Sequence, residues 1–433
     1  MTLEIRKDLC ADGLFKIVKE YLGKIEDHRE GEVTITLADS LMSGFAMFSL
    51  KDPSLLQFDN RRIAEDQNLH NIYLIEQAPS DTRMREINDG VDPFSLSKVF
   101  RAIFRVAQRG KVLEKMEFYE GYYLVAGDGT GYFSSNTIHC ENCLIKTSSK
   151  NGVTYYHQMY CMAIVKPGEK GVIPLTPEPI IKQDGNSKND CERNASKRAI
   201  ERLRREHPHL RIILTEDGLA SNAPHIRDLK EFNIRFLIIA NEGDHKFLFR
   251  CVGEKEELGK VSFVRKEIEG IKKVFRFING VPLNSSNMDL LVNFLEYWEI
   301  DKKGKILHFA WVTDITLKEE NLETMVAGGR AKWKIENETF NTLKNQGYHF
   351  EHNYGHGSKN LSVVFAFLMM LAFLVDQIQQ LACGLFNAVW SVKKTKLALW
   401  EDVRSYFRLV TFPNMYSLYT AIMENLQFKY NTS

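Results

Sequence analysis

The sequence predicts an α/β protein: a core sheet with a β-rich insertion, set between helical N-terminal and C-terminal regions. Three observations predict it. Residues 1 to about 118 carry apolar residues at helical spacing and little alternation. From about residue 121, short runs rich in β-branched and aromatic residues alternate with charged helical stretches. Helical texture returns at Asn321 and continues almost to the end. The 433 residues set a soft prior of about three domains and can bury a large core. A hydrophobic content of 44% and a charged content of 26% are those of a soluble globular chain. The net charge of +1 argues neither for nor against nucleic acid, because phosphate contacts need local basic patches rather than a basic total.

In the first region, Thr36 to Leu50 reads as a helix with apolar residues at i, i+3 and i+4. A second helix is expected near Asp52-Pro53-Ser54. A third begins near Asp92-Pro93, capped by Asp92 or Ser95, and runs to about Lys115. It places Lys98, Arg101, Arg105, Arg109 and Lys111 beside Val99, Phe100, Ile103 and Phe104. That pattern suits an amphipathic surface helix at least as well as a DNA contact. Further on, Tyr122 to Ala126 is a strand entering Asp128, and Cys143–Thr147 and Thr154–Val165 are two more. Asp190–His207 is a charged helix, Leu210–Thr215 a buried strand, Ala223–Phe232 a short helix, and Arg235–Ala240 another strand. The runs at Phe247–Val252, Lys260–Val264, Lys273–Phe277 and Ile306–Val312 read as strands of the insertion. The expected division is 1–118, 119–242, 243–318, 319–390 and 391–433.

Leu361–Val375 is apolar nearly throughout and stops at Asp376. It falls short of the about 20 residues that span a bilayer, so it reads as a buried core helix and no membrane is expected. Seven cysteines, an odd number with one close pair, do not form a secreted disulfide framework. The first residues are acidic where a signal peptide would be apolar. Together these features predict a reducing, cytosolic setting.

Candidate chemistry centres on three acids. Asp128 lies among glycines, Asp217 follows a buried strand, and Glu336 lies in a helix-like run. Taken singly, Asp128-Gly129 and Asp217-Gly218 read as turns, and Glu336 as a surface helix residue. Their order and spacing suggest a shared oxygen-ligand site for hard divalent cations. Around Glu336, Arg330, Lys332, Lys334 and Lys344 place cations suited to phosphate, while helical spacing makes Lys332, Glu336 and Phe340 neighbours. A salt-bridged surface helix is the plainer alternative.

Other clusters are weaker. Cys140 and Cys143, with His157 or Cys161, have the donor types of a zinc site, though the second pair is not at a standard spacing. His352 and His356 are four apart, but Gly355 and Gly357 favour a loop packed beside the site, with hydrogen-bonded histidines. Lys197, Arg198, Arg202, Arg204 and Arg205 read as a solvated basic face, partly neutralised by Glu201 and Glu206. Trp298 and Trp311 read as core residues sooner than as platforms for a flipped base.

Gly127-Asp128-Gly129-Thr130-Gly131-Tyr132-Phe133, Glu216-Asp217-Gly218-Leu219 ahead of Ala223-Pro224, and the long run from Gly329 to His349, continuing to Gly357, resemble those of DDE-type insertion-sequence transposases. The resemblance covers roughly residues 120–390. It implies a ribonuclease-H-like catalytic core, with which the order βββαβαβ agrees, and Asp128, Asp217 and Glu336 as catalytic ligands of two Mg²⁺ or Mn²⁺ ions. It further implies DNA partners, namely transposon terminal inverted repeats and target DNA. One branch of the family carries a similar β-rich insertion, with a Tyr, an Arg and a Lys around the final Glu. Here Gly329 and Lys332 stand at the first two places, and the Lys is one step late at Lys344.

The implied reaction is cleavage at the transposon end and attack of the freed 3′-OH on target DNA. The implied setting is cytoplasmic and DNA-associated, of prokaryotic type, with at least a homodimer in the active complex. The helical first region is the expected end-binding part. Two alternatives stand beside this reading: an inactive transposase-derived DNA-binding protein, and a metal-dependent nuclease without strand transfer.

Overall fold

The computed structural model of the chain describes residues 7–149, 152–182, 189–393 and 395–430. Its strands are β1 Glu117–Tyr119, β2 Tyr122–Ser135, β3 Leu144–Ser148, β4 Gly152–Val165, β5 Ile173–Pro174, β6 Glu178–Ile180, β7 Ile212–Thr215, β8 Arg235–Ile239, β9 Ser262–Ile268, β10 Ile271–Asn284, β11 Asn287–Ile300 and β12 Ile306–Thr313. They form one mixed sheet in the order β3-β4-β2-β7-β8-β12-β11-β10-β9, with β1 on β2 and with β5 and β6 on β4. β4 runs antiparallel to β2, whereas β7 is parallel to β2 and β8 parallel to β7. Parallel neighbours need a crossover. The crossovers are the helices α7 Glu192–Glu206, before β7, and α8 Ala223–Glu231, between β7 and β8. The short strands Ile212–Thr215 and Phe236–Ile238 are buried and uniformly apolar but for Thr215, as strands covered on both faces should be.

The N-terminal region holds α1 Ala11–Leu22, α2 Leu37–Ser49, α3 Leu55–Ala64, α4 Asp66–Tyr73, α5 Asp81–Asp89 and α6 Ser97–Arg109. Thr36 caps α2 through Asp39 N–H, and Ser54 caps α3 through Gln57 N–H. The helix expected from Asp92 to Lys115 is broken. Asp92 caps a 3₁₀ turn at Pro93–Leu96, α6 ends at Gly110, and Leu113–Met116 is a separate turn. α6 buries Val99, Phe100, Ile103 and Phe104 and turns Lys98, Arg105 and Arg109 outward.

The later helices are α9 Lys246–Glu257, α10 Leu322–Arg330, α11 Asn341–Asn345, α12 Leu361–Ala382, α13 Gly384–Ser391, α14 Lys396–Leu409 and α15 Met415–Tyr430. α12 is the apolar helix expected from Leu361. It is long enough by composition to cross a membrane, but 94% of its apolar window is buried within the protein. It continues past Asp376 because that carboxylate is itself buried, paired with the Lys51 ammonium and the Tyr348 hydroxyl. The N- and C-terminal helices interlock. Asn68 Nδ2 donates to Val410 O at 2.8 Å, and Asp12 accepts from Met415 N at 2.7 Å.

The β-rich stretch departs from expectation three times, first in holding the unexpected strand β11 at Asn287–Ile300. Phe247–Val252 lies in α9, where Leu248 and Val252 face inward at i, i+4. The four strands β9–β12 are also not a separate subdomain. They extend the core sheet, because Trp311, Val312 and Thr313 of β12 pair antiparallel with Ile239, Ile238 and Leu237 of β8. Their first hairpin turns on Glu269 and Gly270, both at positive φ (53° and 77°), which matches the twist of the flanking strands.

Candidate acidic site and a Cys2His2 cluster

Asp128 is neither in a turn nor at a strand end. β2 runs on seven residues beyond it to Ser135, and Asp128 faces Cys161 of β4 in register. The glycines beside it are required by close packing. A methyl group on Gly127 would overlap the Tyr160 hydroxyl, and one on Gly129 would overlap the Glu192 carboxylate. β7 lies parallel to β2 with Thr215 opposite Ala126. Two residues further on each side come Asp217 and Asp128. Asp217 caps the 3₁₀ turn Gly218–Ala220, its Oδ1 accepting from Leu219 N at 3.0 Å.

Glu336 arrives from the other end of the chain. It does not lie in a regular α-helix. After α10 come a 3₁₀ turn at Ala331–Trp333 and a π-helical stretch at Ile335–Phe340, a deformation often found at functional sites. Lys332 and Glu336 are nonetheless neighbours, as their spacing predicted. The buried Lys332 ammonium donates to Glu336 Oε1 at 2.8 Å and to Asp128 Oδ2 at 3.0 Å. One cation thus joins the first and third acids. Burial pushes the Asp128 carboxyl up, with Glu336 adding to the push and Lys332 opposing it.

A fourth acid belongs to this site. Glu192, the first residue of α7, reaches over Gly129. Although the residue is exposed at the surface, its carboxyl pKa is raised to about 7, first by desolvation against the site and then by the negative charges of Asp128, Asp217 and Glu216. Nothing in the sequence distinguishes it, because an acid in the first turn of a helix is ordinary. Glu192, Asp217, Glu216, Ser196 and His225 line a cavity of about 250 Å³ whose floor is Gly127. Glu216 is fully committed to structure. It accepts from Tyr160 Oη at 2.5 Å and Ser196 Oγ at 3.0 Å, and pairs with His225 Nε2 at 2.6 Å.

Of the residues expected to meet phosphate, Lys332 is instead the internal bridge just described. Arg330 pairs with Glu299 at 3.2 Å, Lys344 with Glu351 at 2.8 Å, and Lys334 donates to Glu169 O at 2.6 Å. Arg330, Lys334 and the half-exposed Trp333 nevertheless rim a cleft of about 500 Å³ between the Glu336 segment and β10–β11, which also presents Lys273. At Gly329 the Trp311 indole fills the adjacent space, so no side chain fits there. Trp311 is buried, as expected, while Trp298 is part-exposed and stacks on His308 at 5.0 Å. The basic face of α7 is only partly solvated: Lys197 and Arg205 are exposed, whereas the other three are tied into the fold. Arg202 is buried against Glu178, Arg198 bridges Glu178 and Asp190, and Arg204 donates to the carbonyls of Leu210 and Phe232.

The second constellation is Cys140, Cys143, His157 and His356, all buried, with ligand atoms within 4.8 Å of one another. It corrects the expected zinc set. Cys161 is excluded because it sits mid-strand opposite Asp128, where burial holds it as a thiol. His356 takes the fourth place. The sequence suggested pairing it with His352, but the loop between them carries Gly355 at φ 130° and turns His352 outward. Among the described residues this is the one group of His, Cys, Asp or Glu gathered tightly enough to hold a metal without rearrangement. The carboxylates around Lys332 are more open. Comparison of the sequence with known protein families and with curated proteins returns no match.

Proposed function

We propose that this protein is a DNA transposase of the DDE type, built on a ribonuclease-H-like core. The observation that carries the reading is that two sets of acids meet at Asp128: Glu192, whose charge interacts with Asp128 and Asp217, and Glu336, joined to Asp128 through Lys332 from a segment over a hundred residues later. The strand plan supports it: β2 and β4 antiparallel, then β7 and β8 parallel, each of these two reached through a helix.

The donor set fits a hard divalent cation, since it is all oxygen and Glu192 is pushed toward a neutral form first by desolvation and then by the neighbouring carboxylates. Asp128, Asp217 and Glu336 would hold Mg²⁺ or Mn²⁺, with Glu192 alongside. Two such ions supply activation of the attacking oxygen and stabilisation of the leaving one. Lys332 neutralises Asp128 and Glu336 and fixes their spacing. Glu192 gives up its proton as positive charge enters the cavity. The cleft edged by Lys273, Arg330, Trp333 and Lys334 is where a phosphodiester backbone would lie, displacing the Arg330–Glu299 pair in a lining that also holds Glu323 and Glu338, with Trp333 available to stack on a base. Joining two transposon ends calls for at least a dimer.

The test is purified protein with Mg²⁺ or Mn²⁺ and DNA carrying the inverted repeats that flank its own gene. Cleavage and joining, abolished by Asp128→Ala, Asp217→Ala and Glu336→Ala with end binding retained, are expected. End binding without cleavage by the wild type would mean an inactive DNA-binding descendant. Cut ends without joined products would mean a nuclease.

A further inference from the structure

We infer that Cys140, Cys143, His157 and His356 form a structural zinc site that clamps the segment following Glu336 onto the sheet that carries Asp128. The inference rests on the cluster's own geometry and does not depend on the transposase reading.

The donors are chemically matched to zinc, which takes thiolate and imidazole in closed tetrahedral sites. Cys140 Sγ and Cys143 Sγ are 3.8 Å apart. His157 Nε2 lies 3.3 Å from Cys140 Sγ and 3.4 Å from Cys143 Sγ, and His356 Nε2 lies 3.2 Å from Cys143 Sγ. Zinc–sulfur bonds of about 2.3 Å and zinc–nitrogen bonds of about 2.0–2.1 Å place tetrahedral ligands roughly 3.4–3.8 Å apart. These four separations lie at or near that range, and the other two are within 4.8 Å, so a tetrahedral ion needs only a modest closing of the cluster. Both histidines present the same nitrogen, Nε2, to the cysteine sulfurs. Four protein ligands leave no open position for water, the pattern of a structural rather than a catalytic zinc. The rings are walled in by Tyr132, stacked on His157 at 5.6 Å, and Phe133, 4.2 Å from His356.

The clamp joins parts of the chain far apart in sequence, beside an Asp89 carboxylate that accepts from the backbone of Ser358, Lys359, Asn360 and Leu361. Cys140 and Cys143 sit on the connection from β2 to β3, His157 on β4, and His356 on the loop between α11 and α12. Cys143 and His356 are 213 residues apart in sequence. Around them the links are both apolar and polar: Tyr132 packs on Phe350 at 5.4 Å, Glu141 N donates to Ser358 O at 3.3 Å and Asn142 Nδ2 to Lys359 O at 2.9 Å. β2 continues from Asp128 into this clamp, and the His356 loop follows the stretch that holds Glu336. Zinc would therefore fix both acids' segments from one end.

The experiment is elemental analysis of the purified full-length chain, together with Co²⁺ substitution. About one zinc per chain is expected, with the visible spectrum of tetrahedral, thiolate-bound Co²⁺ after exchange. Cys140→Ser and His356→Asn should lose the metal, whereas Asp128→Asn should keep it. Stripping the metal should lower the thermal midpoint, and zinc but not Mg²⁺ should restore it. Should the ligand variants fail to fold, the wild-type cobalt spectrum still decides. Wild-type protein without stoichiometric zinc or a tetrahedral cobalt spectrum, or with a Cys140–Cys143 disulfide in its place, overturns the inference.

Discussion

Lys332 Nζ lies 3.0 Å from Asp128 Oδ2, a contact that spans 204 residues of chain. The same ammonium reaches Glu336 at 2.8 Å. Removing it leaves two carboxylates facing each other with no counter-charge. Lys332→Met is expected to lower stability by about 1–3 kcal/mol in chelator. Mn²⁺ should then raise the melting temperature of the variant more than that of the wild type. An equal metal response in both would show that Lys332 and the cation do not share the site.

Glu192 makes stability depend on pH in an unusual direction. Its ordinary value is 4.5, and in the folded protein it is about 7. Between those values the folded state keeps a proton that the unfolded chain has released. Stability from this group therefore falls as pH rises through that window and levels off above it. Urea midpoints of the wild type and Glu192→Gln, compared at about pH 5 and about pH 8, isolate the effect. The variant should lose that part of the slope, and divalent cations should reduce it in the wild type.

Gly329 is held small by Trp311 and Gly127 by Tyr160. Gly329→Ala and Gly127→Ala should each cost about 1–3 kcal/mol through overpacking. The second should also disturb Glu216, because Tyr160 is its hydrogen-bond donor. A paired Gly329→Ala, Trp311→Phe variant would recover part of the first loss, measurable in denaturant midpoints, if the indole is the obstacle.

Asp376 sits in the middle of the apolar helix α12, and its carboxylate holds the Lys51 ammonium, which also lies 3.8 Å over the Trp400 ring. Burial pushes the Lys51 pKa down, and Asp376 pushes it back. Asp376→Ala leaves a buried cation with no carboxylate and should cost about 3–5 kcal/mol. Adding Lys51→Met should return much of that, a coupling readable in a double-mutant cycle.

Much of the framework was legible because it rests on local rules. Thr36 and Ser54 cap helices by their own side chains, and Leu361–Val375 is too apolar to lie anywhere but inside. The π-helical stretch at Ile335–Phe340 was not legible, since its spacing differs from that of an α-helix by a single residue per turn. Nor was α9, because a short apolar run such as Phe247–Val252 satisfies both periods.

By itself the sequence determined the α/β class, the alternation of elements that makes β7 and β8 parallel strands, and the three acids set apart along the chain. It also determined the Cys-x-x-Cys pair, because ligand type and short spacing are local properties. Only the tertiary structure decided which distant residues meet: Lys332 between Asp128 and Glu336, Glu192 over Gly129, and His356 rather than Cys161 beside Cys140, Cys143 and His157. Those choices depend on strand register and on the path of a loop. A residue's partners across 200 positions follow from how the whole core packs, which no short window of sequence contains.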